Sequence, residues 1–101
     1  MAKVYITEYS VLPRDEKGIS IPIPQEPCLV EQTPVAIGGS SVQSAAFDAA
    51  TRFVCIRTDA ICSIKFGSNP TATANTQRLR ADATEFFGVA PGHKVAVITN
   101  T

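Results

Sequence analysis

The sequence predicts an all-β fold: a small antiparallel structure of the sandwich or barrel type, in a single domain over residues 1–101. Three observations predict it. Short runs rich in β-branched and aromatic residues recur about seven or eight times, at near-regular spacing and punctuated by glycine and proline. No stretch carries a sustained helical period. Residues 61–66 alternate apolar and polar side chains with the period of a half-buried strand.

Lys3–Tyr9 (KVYITEY) reads as the first strand, since its residues suit a pleated, half-buried surface. Val4 and Ile6 point to one side, and Tyr5, Thr7 and Tyr9 to the other. Residues 13–18 (PRDEKG) form a charged loop bounded by turn residues. Residues 19–27 (ISIPIPQEP) carry Pro22, Pro24 and Pro27. A proline has no amide to give to a ladder, so this is an extended edge piece or a polyproline-like part of an arm over residues 10–30. Such an arm lies either over a neighbouring subunit or along the rim of its own domain. Residues 28–37 resume strand character, broken at Pro34, and residues 38–41 (GGSS) turn. Residues 42–47 (VQSAAF) alternate weakly and suit a short helix as well as a strand.

Residues 52–58 and 61–66 are two β-rich runs joined at Thr58, Asp59 and Ala60, a tight connection that reads as a hairpin. Val54 and Ile56 oppose Phe53 and Cys55. Both faces are apolar, so this run belongs at the centre of a sheet or is covered on both sides. In the next run Cys62, Ile64 and Phe66 share one face, and Ser63 and Lys65 the other. Residues 67–76 are a polar loop, about as long as loops become without a function or a partner. Residues 78–80 pair briefly, and residues 81–85 are compatible with helix but too short to hold one alone. Residues 90–93 (APGH) form a Pro-Gly turn in which Gly92 takes positive φ at the third position. Lys94–Thr99 closes the fold, with Val95 and Val97 opposite Ala96 and Ile98.

A chain of 101 residues buries roughly 65% of its unfolded surface, enough for one core without a metal or disulfide framework. Nine basic and nine acidic residues cancel, and the basic ones are scattered. Nucleic-acid partners are therefore not expected, because phosphate neutralisation needs a basic excess. Zero net charge also leaves little repulsion between copies. Charged residues are only 18% of the chain, which points to a surface partly covered by partners. The N-terminal MAKVYITEY lacks the apolar stretch of a signal peptide. No apolar run approaches the ~20 residues of a membrane span, so no membrane partner is expected.

No arrangement of residues sets up catalysis, and no cofactor or metal is expected. The single histidine, His93, sits in a turn without the further ligands a metal needs. Cys28, Cys55 and Cys62 are odd in number and contain no CxxC spacing. They read as small hydrophobes in a reducing compartment, the alternative being a Cys55–Cys62 disulfide across the hairpin. The carboxylates considered for acid–base work, Asp15, Glu16, Asp48, Asp59, Asp82 and Glu85, read as loop and turn residues that solvate and cap. Gly38-Gly39 lacks a phosphate-cradling spacing.

A protein-binding surface is the remaining candidate. Phe86 and Phe87 are adjacent, so in a strand only one faces the core. The other packs under a loop or stands exposed as an anchor for a partner. Tyr5 and Tyr9 raise the same question on the first strand. Ile21, Pro22, Ile23 and Pro24 of the arm complete the candidate interface.

The segments TRFVCIRTDAICSIKFGSNPTAT (residues 51–73) and ADATEFFGVAPGHKVAVI (residues 81–98) resemble a pattern found in small structural proteins of tailed bacteriophages. There an aromatic strand leads into one ending in an FG-x-NP turn, and an fGV-x-pG-x-kvAVI strand closes the domain. The resemblance covers about half of the chain, and its motifs are structural rather than chemical. It implies a capsid decoration (cement) protein with a jelly-roll-like β-sandwich. Such a protein sits on the outer surface of the virion between capsomers, is made in the host cytoplasm, and partners the major capsid protein. Association with itself, as a homodimer or homotrimer, would accompany that role. A head–tail or tail component, or a free β-sandwich module for carbohydrate or protein, is the alternative.

Overall fold

The computed structural model describes residues 2–24 and 26–100. The strands are β1 (Lys3–Tyr9), β2 (Val30–Glu31), β3 (Val35–Ala36), β4 (Val42–Gln43), β5 (Phe53–Thr58), β6 (Cys62–Gly67), β7 (Gln77–Leu79), β8 (Thr84–Gly88) and β9 (Lys94–Thr99). No helix occurs among the described residues, so the all-β expectation holds.

The strands form two antiparallel sheets. The first runs β2-β1-β5-β8, with β3 also on β1; the second runs β4-β9-β6-β7. Residues 4–9 of β1 pair with β5 along one edge, so β2, opposite Thr7 and Glu8, and β3, opposite Lys3 and Val4, share the other. Together they behave as one strand interrupted near Pro34, which has no amide to donate. The Gln32 amide still reaches the Ile6 carbonyl at 3.0 Å.

Both sheets feed one core. Val4, Ile6, Val54 and Ile56 of the first sheet meet Cys62, Ile64, Leu79, Val95 and Val97 of the second in a single buried cluster. Each large aliphatic side chain so buried contributes about 1.5–3 kcal/mol. Phe47, Phe66 and Phe87 extend the cluster, with ring centroids 6.5 Å apart for Phe47 and Phe66 and 5.1 Å for Phe66 and Phe87.

The inward period of β1 runs through Val4 and Ile6 to Glu8, which is only 1% exposed. A buried carboxylate is costly unless hydrogen-bonded. This one accepts the Asp48 amide at 2.8 Å, the Thr51 hydroxyl at 2.6 Å and the Gln32 side-chain amide at 2.8 Å. It ties the segment before β5 and the link between β2 and β3 to the first strand.

The expected hairpin of residues 52–58 and 61–66 is not formed. β5 pairs with β1 and β8 in the first sheet, and β6 with β7 and β9 in the second. The tight connection is a corner between sheets. The buried Thr58 hydroxyl bonds the Ala60 backbone on both its N–H and its carbonyl, turning the chain out of one sheet and into the other. The strands prefer distant partners because each then places its apolar face in the common core. β5 is central in its sheet, as its two apolar faces require.

Two helix-compatible segments resolve as β structure. Residues 42–47 begin as β4 and continue with the Ser44 amide on the Val95 carbonyl and the Phe47 amide on the His93 carbonyl. Within residues 81–85 a turn at Asp82, with φ of 57°, leads into β8. Asp tolerates that left-handed geometry better than most residues. Gly92 has φ of 78° in the turn before β9, as expected.

Candidate interaction surface

Alternation along the strands defines an outer face for each sheet, and the two faces are treated differently. On the second sheet, Ser63 and Ala96 point away from the core yet are fully buried. Residues 67–76 lie over them, with Pro70 and Ala72 buried. Asn100 donates to the Ser63 hydroxyl at 2.6 Å and the Ala74 carbonyl at 3.2 Å. Gln43 donates to Asn69 and the Pro70 carbonyl, both at 2.8 Å, and the Ser41 hydroxyl accepts the Ala72 amide at 2.9 Å. The long polar loop thus serves as a cover for its own sheet.

The first sheet's outer face carries Tyr5, Thr7 and Tyr9 from β1, Phe53, Cys55 and Arg57 from β5, and Thr84, Phe86 and Gly88 from β8. The arm folds back over one end of it. Tyr9 is consequently only 6% exposed: its ring stacks on Phe53 at 5.2 Å, and its hydroxyl donates to Glu26 Oε2 at 2.7 Å. Burial, reinforced by the Glu26 carboxylate, raises the Tyr9 phenol well above its ordinary pKa. Tyr9 was expected to be an interface residue. It faces outward as expected, but its own chain covers it.

The arm itself is a short hairpin. Arg14 bridges to Ser20, and Gly18, with φ of 81°, turns the chain back. The Asp15 carboxylate accepts the Lys17 and Ile19 amides, each at 2.9 Å. Past this turn, Pro22, Ile23 and Pro24 meet Phe53, Phe86 and Phe87 around a shallow, largely apolar groove of about 400 Å³. Five of the residues singled out from the sequence therefore converge on one place. Phe87 turns toward the core and packs on Phe66, while Phe86 is 54% exposed and Ile23 55%. Ile21 is exposed on the arm but lies outside the groove, its amide bonded to the Pro13 carbonyl at 2.8 Å. Leu12, which the sequence reading did not single out, joins the groove wall. Its signal was an apolar residue within an arm too proline-rich to bury it.

Tyr5 stands apart from this groove. It is 41% exposed and lines a second, more polar groove of about 370 Å³ with Arg57, Asp59 and Asp82. His93 is half-buried in its turn. The three cysteines are unpaired, and the alternative of a Cys55–Cys62 disulfide does not hold, the two lying in different sheets. Burial raises the pKa of all three thiols, with Glu31 adding to the effect at Cys28 and Arg57 opposing it at Cys55. Each is thereby held further toward the protonated, unreactive form.

No protein-family model, curated protein or solved structure matches the chain.

Proposed function

We propose that this chain is a structural protein of a tailed-phage virion, a decoration protein that binds the outside of the head between capsomers and stabilises the shell. The observation that carries the reading is the uncovered apolar surface at the groove. Among the described residues, eight of the nine large exposed hydrophobics, Val42 being the exception, lie on the first sheet, its connection to β2 or its arm. Exposed apolar side chains gathered at a groove on a neutral chain suit a surface made to be covered. The resemblance of residues 51–73 and 81–98 to phage structural proteins supplies the class of partner, the major capsid protein.

The strand order supports a jelly-roll-like sandwich. With β2 and β3 counted as one strand, the two sheet orders are those of a jelly roll in which β1 takes the place of the closing strand. The arm packs on its own sheet yet keeps Val11, Leu12, Ile19, Ile21 and Ile23 exposed, which leaves it able to contact a capsomer while anchored at Tyr9. The site would be the outer surface of the virion, reached after synthesis in the host cytoplasm.

The test is whether the protein co-purifies with intact heads of the phage that carries it and leaves them when the shell is disassembled. Absence from every particle fraction would sink the reading. A second reading, a binding module for carbohydrate, is favoured by one feature: an exposed Tyr5 ring beside Arg57, Asp59 and Asp82. Titration with oligosaccharides that shifts Tyr5 and Arg57 resonances would support it.

A further inference from the structure

Four strand edges bound the two sheets, and three of them are blunted. The β2–β3 edge is broken near Pro34. On the second sheet, β4 has two residues, and β7 has three, with Arg78 within it and Arg80 beside it. Short length, proline and cationic side chains are the usual devices against pairing with another chain. The fourth edge, β8, is the longest of the four, with five residues (TEFFG), no proline, no cation and a single charge, Glu85.

Its free backbone groups can be assigned. The Val89 amide donates to the Arg52 carbonyl, and the Ala83 carbonyl accepts the Thr58 amide. By alternation, residues 83, 85, 87 and 89 direct their backbone groups toward β5, and Thr84, Phe86 and Gly88 direct theirs away from the sheet. The same alternation puts the Phe86 side chain on the outer face, beside the apolar groove.

We propose that β8 pairs with β8 of a second copy, antiparallel about a two-fold axis at Phe86, joining the two first sheets into one continuous sheet. In that register Thr84 stands opposite Gly88 of the other copy and Phe86 opposite its own equivalent, so every outward-directed residue of the strand finds a partner. Sliding one way leaves Thr84 without a partner; sliding the other leaves Gly88 without one and sets Glu85 against Glu85. The two-fold register instead puts Glu85, the strand's one charge, opposite Phe87. The occupant is thus selected by a self-complementary strand: aromatic at its centre, small at its ends, with its single charge kept off its own copy. Zero net charge leaves no long-range repulsion against the pairing. Phe86 then packs on Phe86 over the joined sheet, flanked by Ile23 and Leu12 of the arms. The inference stands independently of the phage reading.

Sedimentation of the full chain at tens of micromolar tests it, together with amide exchange at low and high concentration. The expected mass is twice the 10.7 kDa of the chain. The amides of Thr84, Phe86 and Gly88 should exchange freely when dilute and become protected when concentrated. Phe86→Lys, at an exposed site whose amide makes no bond within its own sheet, should keep the thermal midpoint and weaken the dimer by about tenfold or more. A monomer throughout, a trimer, or a dimer that tolerates Phe86→Lys with the Phe86 amide still exchanging freely would each overturn the proposal. Loss of dimer without loss of head binding would leave the phage reading standing, and the converse would remove that reading alone.

Discussion

The outer faces of the two sheets are built from different side chains and are covered to different extents. On the second sheet, small residues (Ser63 and Ala96) leave room for residues 67–76 to lie flat, and Asn100, Gln43 and Ser41 pin that loop down. On the first sheet the outer face carries the larger rings of Tyr9, Phe53 and Phe86, and only the Tyr9 end is covered. The proline-rich arm bonds Tyr9 through Glu26 and lines the groove beside Phe53. Phe86 is left open on the longest edge strand of the two sheets. The comparison teaches that exposure here follows from which outer-face positions the chain's own loop or arm reaches and can be tied to by hydrogen bonds. The loop is held at Asn69, Pro70, Ala72 and Ala74, whereas the arm's Asp15, Gly18, Ile21 and Ile23 amides bond within the arm and a side chain, Glu26, ties it to the sheet at Tyr9.

The largest expected effect lies beneath both faces. Phe66→Ala, which removes the ring between Phe47 and Phe87, should cost about 3 kcal/mol in chemical denaturation, because it opens a cavity where the two sheets meet. A much smaller loss would mean that the sheets do not share one packed core. Next comes the covered face. Ala96→Leu should cost about 2 kcal/mol by overpacking beneath the loop. Asn100→Ala should cost about 1–2 kcal/mol and speed amide exchange in residues 67–76. Neutral outcomes for both would show that the loop is no cover.

On the arm side, Tyr9→Phe should cost about 1 kcal/mol at neutral pH through loss of the bond to Glu26. It should also change the alkaline limb of the stability profile. The folded state raises the Tyr9 pKa, so above the phenol's ordinary pKa of 10.0 the unfolded chain loses its proton first and folding is progressively disfavoured. The wild type should therefore lose stability more steeply than Tyr9→Phe as pH rises past that value, a difference that urea titrations at successive pH values would measure. The smallest effect belongs to the open face: Phe86→Ser should leave monomer stability within about 0.5 kcal/mol.

Much of the fold was legible because alternation is a local signal. The first and last strands and the shared face of Cys62, Ile64 and Phe66 on β6 followed from local patterns, and the two apolar faces of β5 placed it at the centre of a sheet or under cover on both sides. The partner choice of β5 and β6 was not legible. A short connection between two β-rich runs looks the same whether it closes a hairpin or turns a corner between sheets, and only the distant strands β1, β8 and β9 decide. Glu8 also escaped notice, because its hydrogen-bond donors at Gln32, Asp48 and Thr51 are remote in the chain. For the interaction surface, the pairing of Phe86 with Phe87 announced that one ring must face outward, and the prolines announced an extended arm. That the two meet at one groove, and that Tyr9 is spent anchoring the arm, depends on the fold-back near Gly18 and on Glu26, which no spacing reveals.

Hydroxyl-radical footprinting of dilute and concentrated protein tests the contrast between faces most directly. Protection on concentration should fall on Phe86, Ile23 and Leu12, while Val42, exposed at the edge of the second sheet, should react equally in both samples. Protection of Val42 with Phe86 left reactive would contradict the account.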